Sequence, residues 1–284
     1  LAKLDAYNST TYPAVKGVSN GTGVYGLHES TSGTLPGVWG ATESGSTNAV
    51  GVRGYVNSTS PGGYSTGVRG HNNGVGGMGI GVHGSQDGSG WGVFGTTPSG
   101  RGVYGYSTDG DGIYGFSNTG AGVYGSSTSG YAGVFDGTVR VDVLEITGAD
   151  VAEKFPVSEE TKPGMVVMID AANPGQLCVS RGAYNRCVAG VVSGAGDIPV
   201  GTILGNLPGS EDSPPIALSG RVWVHCHAAD TAIKPGDLLT TSDTPGHAMA
   251  ATDFAQAHGT VIGKAMSTLP RGETGLVLVL VNLQ

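Results

Sequence analysis

A chain of 284 residues with 53 glycines and a formal net charge of −8 has room for two ordinary domains. It carries glycine at more than twice the usual share of about 7%. Its charged residues are only 13% of the total, and no Lys/Arg cluster occurs, which excludes a nucleic-acid binder. Glycine keeps no three-residue period, which excludes collagen, and no apolar run approaches the ~20 residues of a membrane-spanning helix.

Residues 1–16 form an N-terminal segment. The start at Leu1 rather than at methionine points to processing or to a piece of a longer precursor. Residues 17–137 are a repeat. The tetrad Gly-Val/Ile-X-Gly occurs nine times, opening at Gly23, Gly37, Gly51, Gly67, Gly81, Gly92, Gly102, Gly112 and Gly122. The spacing shortens along the chain: 14, 14, 16, 14, 11, 10, 10 and 10 residues. A degenerate copy follows at Gly133-Val134-Phe135-Asp136. Between tetrads lie Ser, Thr, Asn, Asp and Gly, which are turn residues.

This pattern predicts one short strand and one turn per repeat. The β-branched position supplies the buried side chain: Val24, Val38, Val52, Val68, Val82, Val93, Val103, Ile113, Val123 and Val134. The next position points the other way. It reads as a ladder of aromatics, Tyr25, Trp39, Phe94, Tyr104, Tyr114 and Tyr124, interrupted by Arg53, Arg69 and His83. One valine per ten or so residues cannot build an interior in a single chain. Copies of the chain must then share one, and three chains around a common axis would also pair strand edges otherwise left open. The expected shaft is therefore a thin, intertwined, β-helix-like homotrimer, with a monomeric Gly-rich solenoid or another oligomer as the rivals.

Residues 138–149 are a junction, within which 138–146 (TVRVDVLEI) alternates like a strand. From residue 150 to 284 the composition shifts toward Val, Ile, Leu, Ala and Pro. This stretch contains a second repeat. Lys162-Pro163-Gly164 recurs at Lys234-Pro235-Gly236, Asn173-Pro174-Gly175 at Thr244-Pro245-Gly246, and Val188-Ala189-Gly190 at Val261-Ile262-Gly263. The sequence therefore predicts a compact all-β domain of two similar halves, 150–219 and 220–284. Each half begins with Pro-Gly turns and strands, with later strands at 201–207 and 275–282. A short helix is expected only within 252–258.

Gly148-Ala149-Asp150-Val151-Ala152-Glu153 resembles the Gly-Ala-Asp-aromatic-Ala-Glu opening of the autoproteolytic or chaperone end domains of phage tail and neck appendages. Val188-Ala189-Gly190-Val191-Val192-Ser193 with Gly196-Asp197 is similar to the next landmark of that family. Residues 233–284 resemble the C-terminal end of bacterial proteins with Gly-Val-Tyr-Gly repeats. The resemblance implies a trimeric fibre whose end domain registers or caps the shaft.

The same resemblance puts Asp150 and Glu153 at acidic positions close to a self-cleavage site. Two carboxylates can divide acid and base roles if their surroundings separate their pKa values. Val151 replaces the family's aromatic, and the bland reading is a capping or bridging role at the junction. In the expected strand 221–228, alternation puts Trp223, His225 and His227 on one face. Two such histidines are candidate metal ligands, but spacing places no third; packed or interfacial histidines are the rival. Asp109-Gly110-Asp111-Gly112 lacks the rest of a calcium loop and reads as a turn.

Cys178, Cys187 and Cys226 are too few for a disulfide framework. They read as buried free thiols, with a Cys178–Cys187 bridge as the alternative. No motif calls for a cofactor. The resulting expectation is a non-enzymatic structural subunit of a fibre, outside the cell or on a virion. Its partner is itself, as a trimer, with end-to-end joining a further option. The competing readings are a receptor- or glycan-binding fibre tip, with a cell-surface glycan as partner, and a self-cleaving end domain.

Overall fold

The computed structural model describes residues 15–205 and 208–282. The expected segment 1–16 lies outside the described residues as far as residue 14, and so do the last two residues of the expected strand 201–207. The chain divides into two compact units, one ending at Tyr124 and one beginning at Gly125.

The first unit consists of turns, bends and extended pieces, with no β-ladder among its described residues. The expectation of one strand per repeat is corrected accordingly. A ladder needs a neighbouring strand to bond, and successive tetrads of one chain meet glycine against glycine instead. The same correction applies to 138–146 in the second unit, which has strand-like alternation but pairs with no strand of its own chain.

Regular structure starts at Asp150. The fold is all-β, with ten strands and one four-residue helix among the described residues. In chain order they are β1 (Asp150–Lys154), β2 (Val166–Ile169), β3 (Leu177–Val179), β4 (Val188–Val192), β5 (Thr202–Leu204) and β6 (Pro215–His227). Then come β7 (Leu238–Thr241), β8 (Ala248–Ala250), α1 (Phe254–Ala257), β9 (Val261–Ala265) and β10 (Thr274–Asn282).

The two halves share their turns and their hairpin pairings. All four duplicated Pro-Gly pairs form type II turns, with proline presetting φ and glycine at the position that demands positive φ. Their closing bonds, Met165 N to Lys162 O, Gln176 N to Asn173 O, Asp237 N to Lys234 O and His247 N to Thr244 O, are each 3.1 Å. Gly164 and Gly236 sit at φ 90° and 95°, Gly175 and Gly246 at 87° and 72°. Past the turns, β2 pairs antiparallel with β3 and β4, as β7 does with β8 and β9. Even the bulge recurs, at Val167/Met168 and at Leu239/Thr240.

The division expected between residues 219 and 220 falls inside one continuous strand. The first part of β6 pairs with β1 and β4, and its second part runs antiparallel to β10 from Ser219↔Asn282 to His227↔Thr274. Parallel pairing of Cys226 with Ala248 joins β6 to β8. The circuit β6-β10-β9-β7-β8 therefore closes into a five-stranded barrel. So narrow an interior is filled by side chains. Val222, Val224 and Cys226 of β6 and Val277, Val279 and Val281 of β10 point inward with Leu239 and Ile262. The first half keeps its sheet open, with β2, β3 and β4 packing Val167, Leu177 and Val192 against Ile216.

Candidate functional site

The repeat glycines are placed by a rule that the tetrad pattern alone does not state. The closing glycine of each tetrad lies against the opening glycine of the next: Gly26 on Gly37, Gly40 on Gly51, Gly54 on Gly67 and Gly70 on Gly81. The series continues with Gly84 on Gly92, Gly95 on Gly102, Gly105 on Gly112 and Gly115 on Gly122. A Cβ on Gly105 would stand 2.2 Å from Gly112 O, and one on Gly54 2.2 Å from Gly67 O. The reverse approach is looser, 3.3 Å for a Cβ on Gly112. Closing glycines are thus required by contact between backbones, not by turn conformation.

Each closure pinches off a loop whose turn the sequence also encodes. In the last four loops a hydroxyl two places after the closing glycine accepts a backbone bond three residues on. Thr97 holds Gly100 N at 3.2 Å, while Ser107, Ser117 and Ser127 hold Gly110, Gly120 and Gly130 at 2.9 Å. Asp109-Gly110-Asp111-Gly112 lies in one of these ordinary loops.

The loops leave the β-branched row in the open. Val24, Val38, Val52, Val68, Val82, Val93, Val103, Ile113, Val123 and Val134 are 67% to 78% exposed in the single chain. Tyr25, Trp39, Phe94, Tyr104, Tyr114 and Tyr124 are exposed as well. Among the described residues the ring stack in this unit is Trp91 on Phe94, centroids 5.0 Å apart, and Arg101 lies over the Tyr104 ring at 5.5 Å.

At the start of β1 the two acidic residues part company. Asp150 is buried; its Oδ2 accepts from Ser193 Oγ at 2.5 Å and its Oδ1 from Gly201 N at 2.7 Å. Three residues on, Glu153 falls on the other face of the strand, with its carboxylate against the Gly205 backbone. The pair does not converge on one bond. What sequence reading missed is Ser193, the buried partner of Asp150, and its signal lay in the Val-Ser ending of the β4 motif.

His225 and His227 share a face of β6, as alternation requires, but they serve different neighbours. His227 Nδ1 lies 2.7 Å from Thr244 Oγ1. The His225 ring faces His247, centroids 5.5 Å apart. Burial, and then the adjacent His247, holds His225 below its ordinary pKa. No group of three His, Cys, Asp or Glu side chains able to hold a metal occurs among the described residues. His225 N donates to Gly164 O at 2.8 Å and Val166 N to Gly246 O at 2.9 Å. Gly164 and Gly246 of the duplicated turns are therefore where the halves interlock.

All three cysteines are free thiols. Cys178 and Cys226 are buried, but Cys187 is exposed, which corrects the expectation for that residue. Burial pushes the Cys226 thiol up to about 12.

No family model matches this chain. No curated protein matches it either. Among solved structures, it is similar to the pre-mature bacteriophage phi29 gene product 12, with 13% identity and a TM-score of 0.38. That match covers 52% of this chain and 24% of the phage product, so it spans about a quarter of the latter's length.

The second unit also holds a concavity of about 320 Å³ lined by Tyr184, His227, Asp230, Asp243, Met249 and Asp253, among others. Tyr184 adopts φ 54°, uncommon for a bulky side chain. Its hydroxyl receives Thr252 N and Asp253 N at 3.0 and 2.8 Å, tying its loop to the N-cap of α1. No local pattern marks Tyr184, because its partners come from nearly 70 residues downstream.

Proposed function

We propose that this chain is a structural subunit of an extracellular or virion-associated fibre, self-assembled as a homotrimer. Its Gly-Val-X-Gly half supplies the shaft, and its duplicated β-domain caps or registers the subunits. One observation carries the reading: the β-branched row recurs with every tetrad and stands exposed in a single chain, whereas the five-stranded barrel buries Val222, Val224, Val277, Val279 and Val281 within its own interior. A regular apolar row of this length is a surface for association. Burying each valine between copies contributes on the order of 1.5 kcal/mol.

Three copies are proposed because the row is one residue wide. A threefold axis gathers three such rows into a closed interior, and a dimer leaves one side of it wet. The closing glycines support the same reading, since they allow each loop to fold flat beside the row.

Native mass spectrometry of the full chain tests the proposal. The expected species is three times the chain mass, seen as thin rods in electron micrographs. A stable monomer at micromolar concentration overturns it.

Recognition of a cell-surface glycan is a second reading, favoured by the exposed Trp91–Phe94 stack and the polar concavity around Tyr184. Glycan-array binding that is lost in Trp91→Ala supports it, and an array without signal removes it.

A further inference from the structure

The second unit contains a segment with strand-like alternation but no partner, and a sheet edge without a strand. Residues 138–146 alternate apolar and polar in sequence, and Val139, Val141 and Val143 are all exposed. Strand β5 bonds to β1 along one edge only, and its other edge has no partner among the described residues. Natural sheets blunt open edges with charge, proline or a bulge. β5 is itself short, at three residues, but Thr202, Ile203 and Leu204 carry no charge and no proline.

Register shows what the edge lacks. In the parallel pairing of β1 with β5, Ala152 stands beside Ile203. Ala152 is fully buried, yet Ile203 is 46% exposed. The core face continues onto Ile203 and then stops for want of one more strand.

The chain's own 138–146 does not supply it: these residues pair with no strand of their own chain. A Cβ on Gly148 would fall 2.2 Å from Gly201 Cα, and Arg221 N donates to Ala149 O at 2.9 Å. The chain is therefore already threaded between β5 and β6 at residue 148. From residue 146 to residue 148 a fully extended backbone spans about 7 Å. Reaching the far side of β5 takes two strand spacings, about 9.5 Å. Both edges of β1 are filled as well.

We propose that residues 138–146 of one copy add as a strand to the open edge of β5 in a neighbouring copy, with the valine face set beside Ile203. Main-chain bonds give such strand addition its affinity, and the alternate side chains give it register. The inference rests on the self-association proposed above and adds to it a specific joint between end domains. The exchange ties each domain to its neighbour, so a subunit entering out of register forfeits the strand.

Disulfide trapping in the full chain tests it, in a Cys187→Ser background. Directly opposed residues on adjacent strands lie within disulfide range. Ile203→Cys is combined in turn with Val139→Cys, Val141→Cys and Val143→Cys under a mild oxidant. At least one pair is expected to give covalent multimers on a non-reducing gel, and the single variants none. Arg140→Cys with Ile203→Cys, on the opposite face, is expected to give at least tenfold less. In a second measurement, Ile203→Lys places a charge on the edge and is expected to speed tryptic cleavage after Arg140 at least tenfold. An oligomer that forms no cross-link with any pair overturns the strand addition while leaving the trimer intact. Multimers from Val141→Cys alone also overturn it, since the valine segments then face one another. A monomeric parent chain in native mass spectrometry overturns both.

Discussion

At the scale of single residues, the second unit keeps chemistry under cover rather than presenting it. His225 is biased toward its neutral form: burial, and then the His247 ring, opposes its charge. The folded state therefore takes up this proton less readily than the unfolded chain. The corresponding stability is present above the unfolded value near 6.5 and is lost as pH falls through the depressed folded value. The urea midpoint of the C-terminal transition is expected to drop between pH 7.5 and pH 5.5, and His225→Gln to flatten that slope. An equal slope in the variant would remove His225 from the account. The thiols are ordered in the same way. A maleimide is expected to label Cys187 in the native protein within minutes and Cys226 only after unfolding, since only Cys187 is exposed and burial holds Cys226 protonated. Labelling of Cys226 at the same rate as Cys187 would contradict the closed barrel. The face shared by His225 and His227 was readable in advance because a strand alternates with period 2. Their neighbours His247 and Thr244 were not, because both arrive from one distant Pro-Gly turn whose place beside β6 is set by the tertiary fold.

At the scale of elements, glycine acts in two ways that a sequence count cannot separate. In the Pro-Gly turns it supplies a backbone angle; in the tetrads it supplies room. Gly164 and Gly236 occupy equivalent turns with φ near 90° and 95°. A Cβ at Gly236 meets open space, whereas one at Gly164 would meet His225 Cδ2 at 3.0 Å and Ala195 Cβ at 3.1 Å. Gly236→Ala is expected to cost about 1–2 kcal/mol from the backbone angle alone, and Gly164→Ala clearly more, as read from urea unfolding. Equal costs would mean that the halves do not interlock at Gly164. In the repeats, Gly105→Ala is expected to lower the melting temperature of the assembled fibre more than Gly112→Ala, because the closing position has the closer backbone contact. The turns were legible because proline and glycine dictate a conformation locally. The closures were not, because one glycine's neighbour is set by how the intervening loop folds.

At the scale of the whole molecule, one chain contains two different solutions to burying valine. The duplicated domain buries its own by closing β6, β10, β9, β7 and β8 on themselves. The repeat half exposes its row, which the proposed assembly covers with other copies. Replacing Val103, Ile113 and Val123 together by serine is expected to shift the chain from trimer toward monomer in sedimentation experiments. The C-terminal unfolding transition is expected to stay where it was. A trimer that survives the triple change would move the association interface out of the repeats.

By itself, the sequence determined what repeats: the tetrad period, the two Pro-Gly half-domains, and the alternation that sets which side chains of β6 and β10 face inward. These follow from backbone angles and side-chain directions that extend only a few residues. The tertiary structure alone decided where the copies are joined. It fused the halves within β6, closed the second into a barrel, left β5 with an open edge, and separated Asp150 from Glu153 while setting Asp150 beside Ser193 and Gly201. Each of those outcomes depends on which distant strands come within bonding distance, a condition that no local period contains.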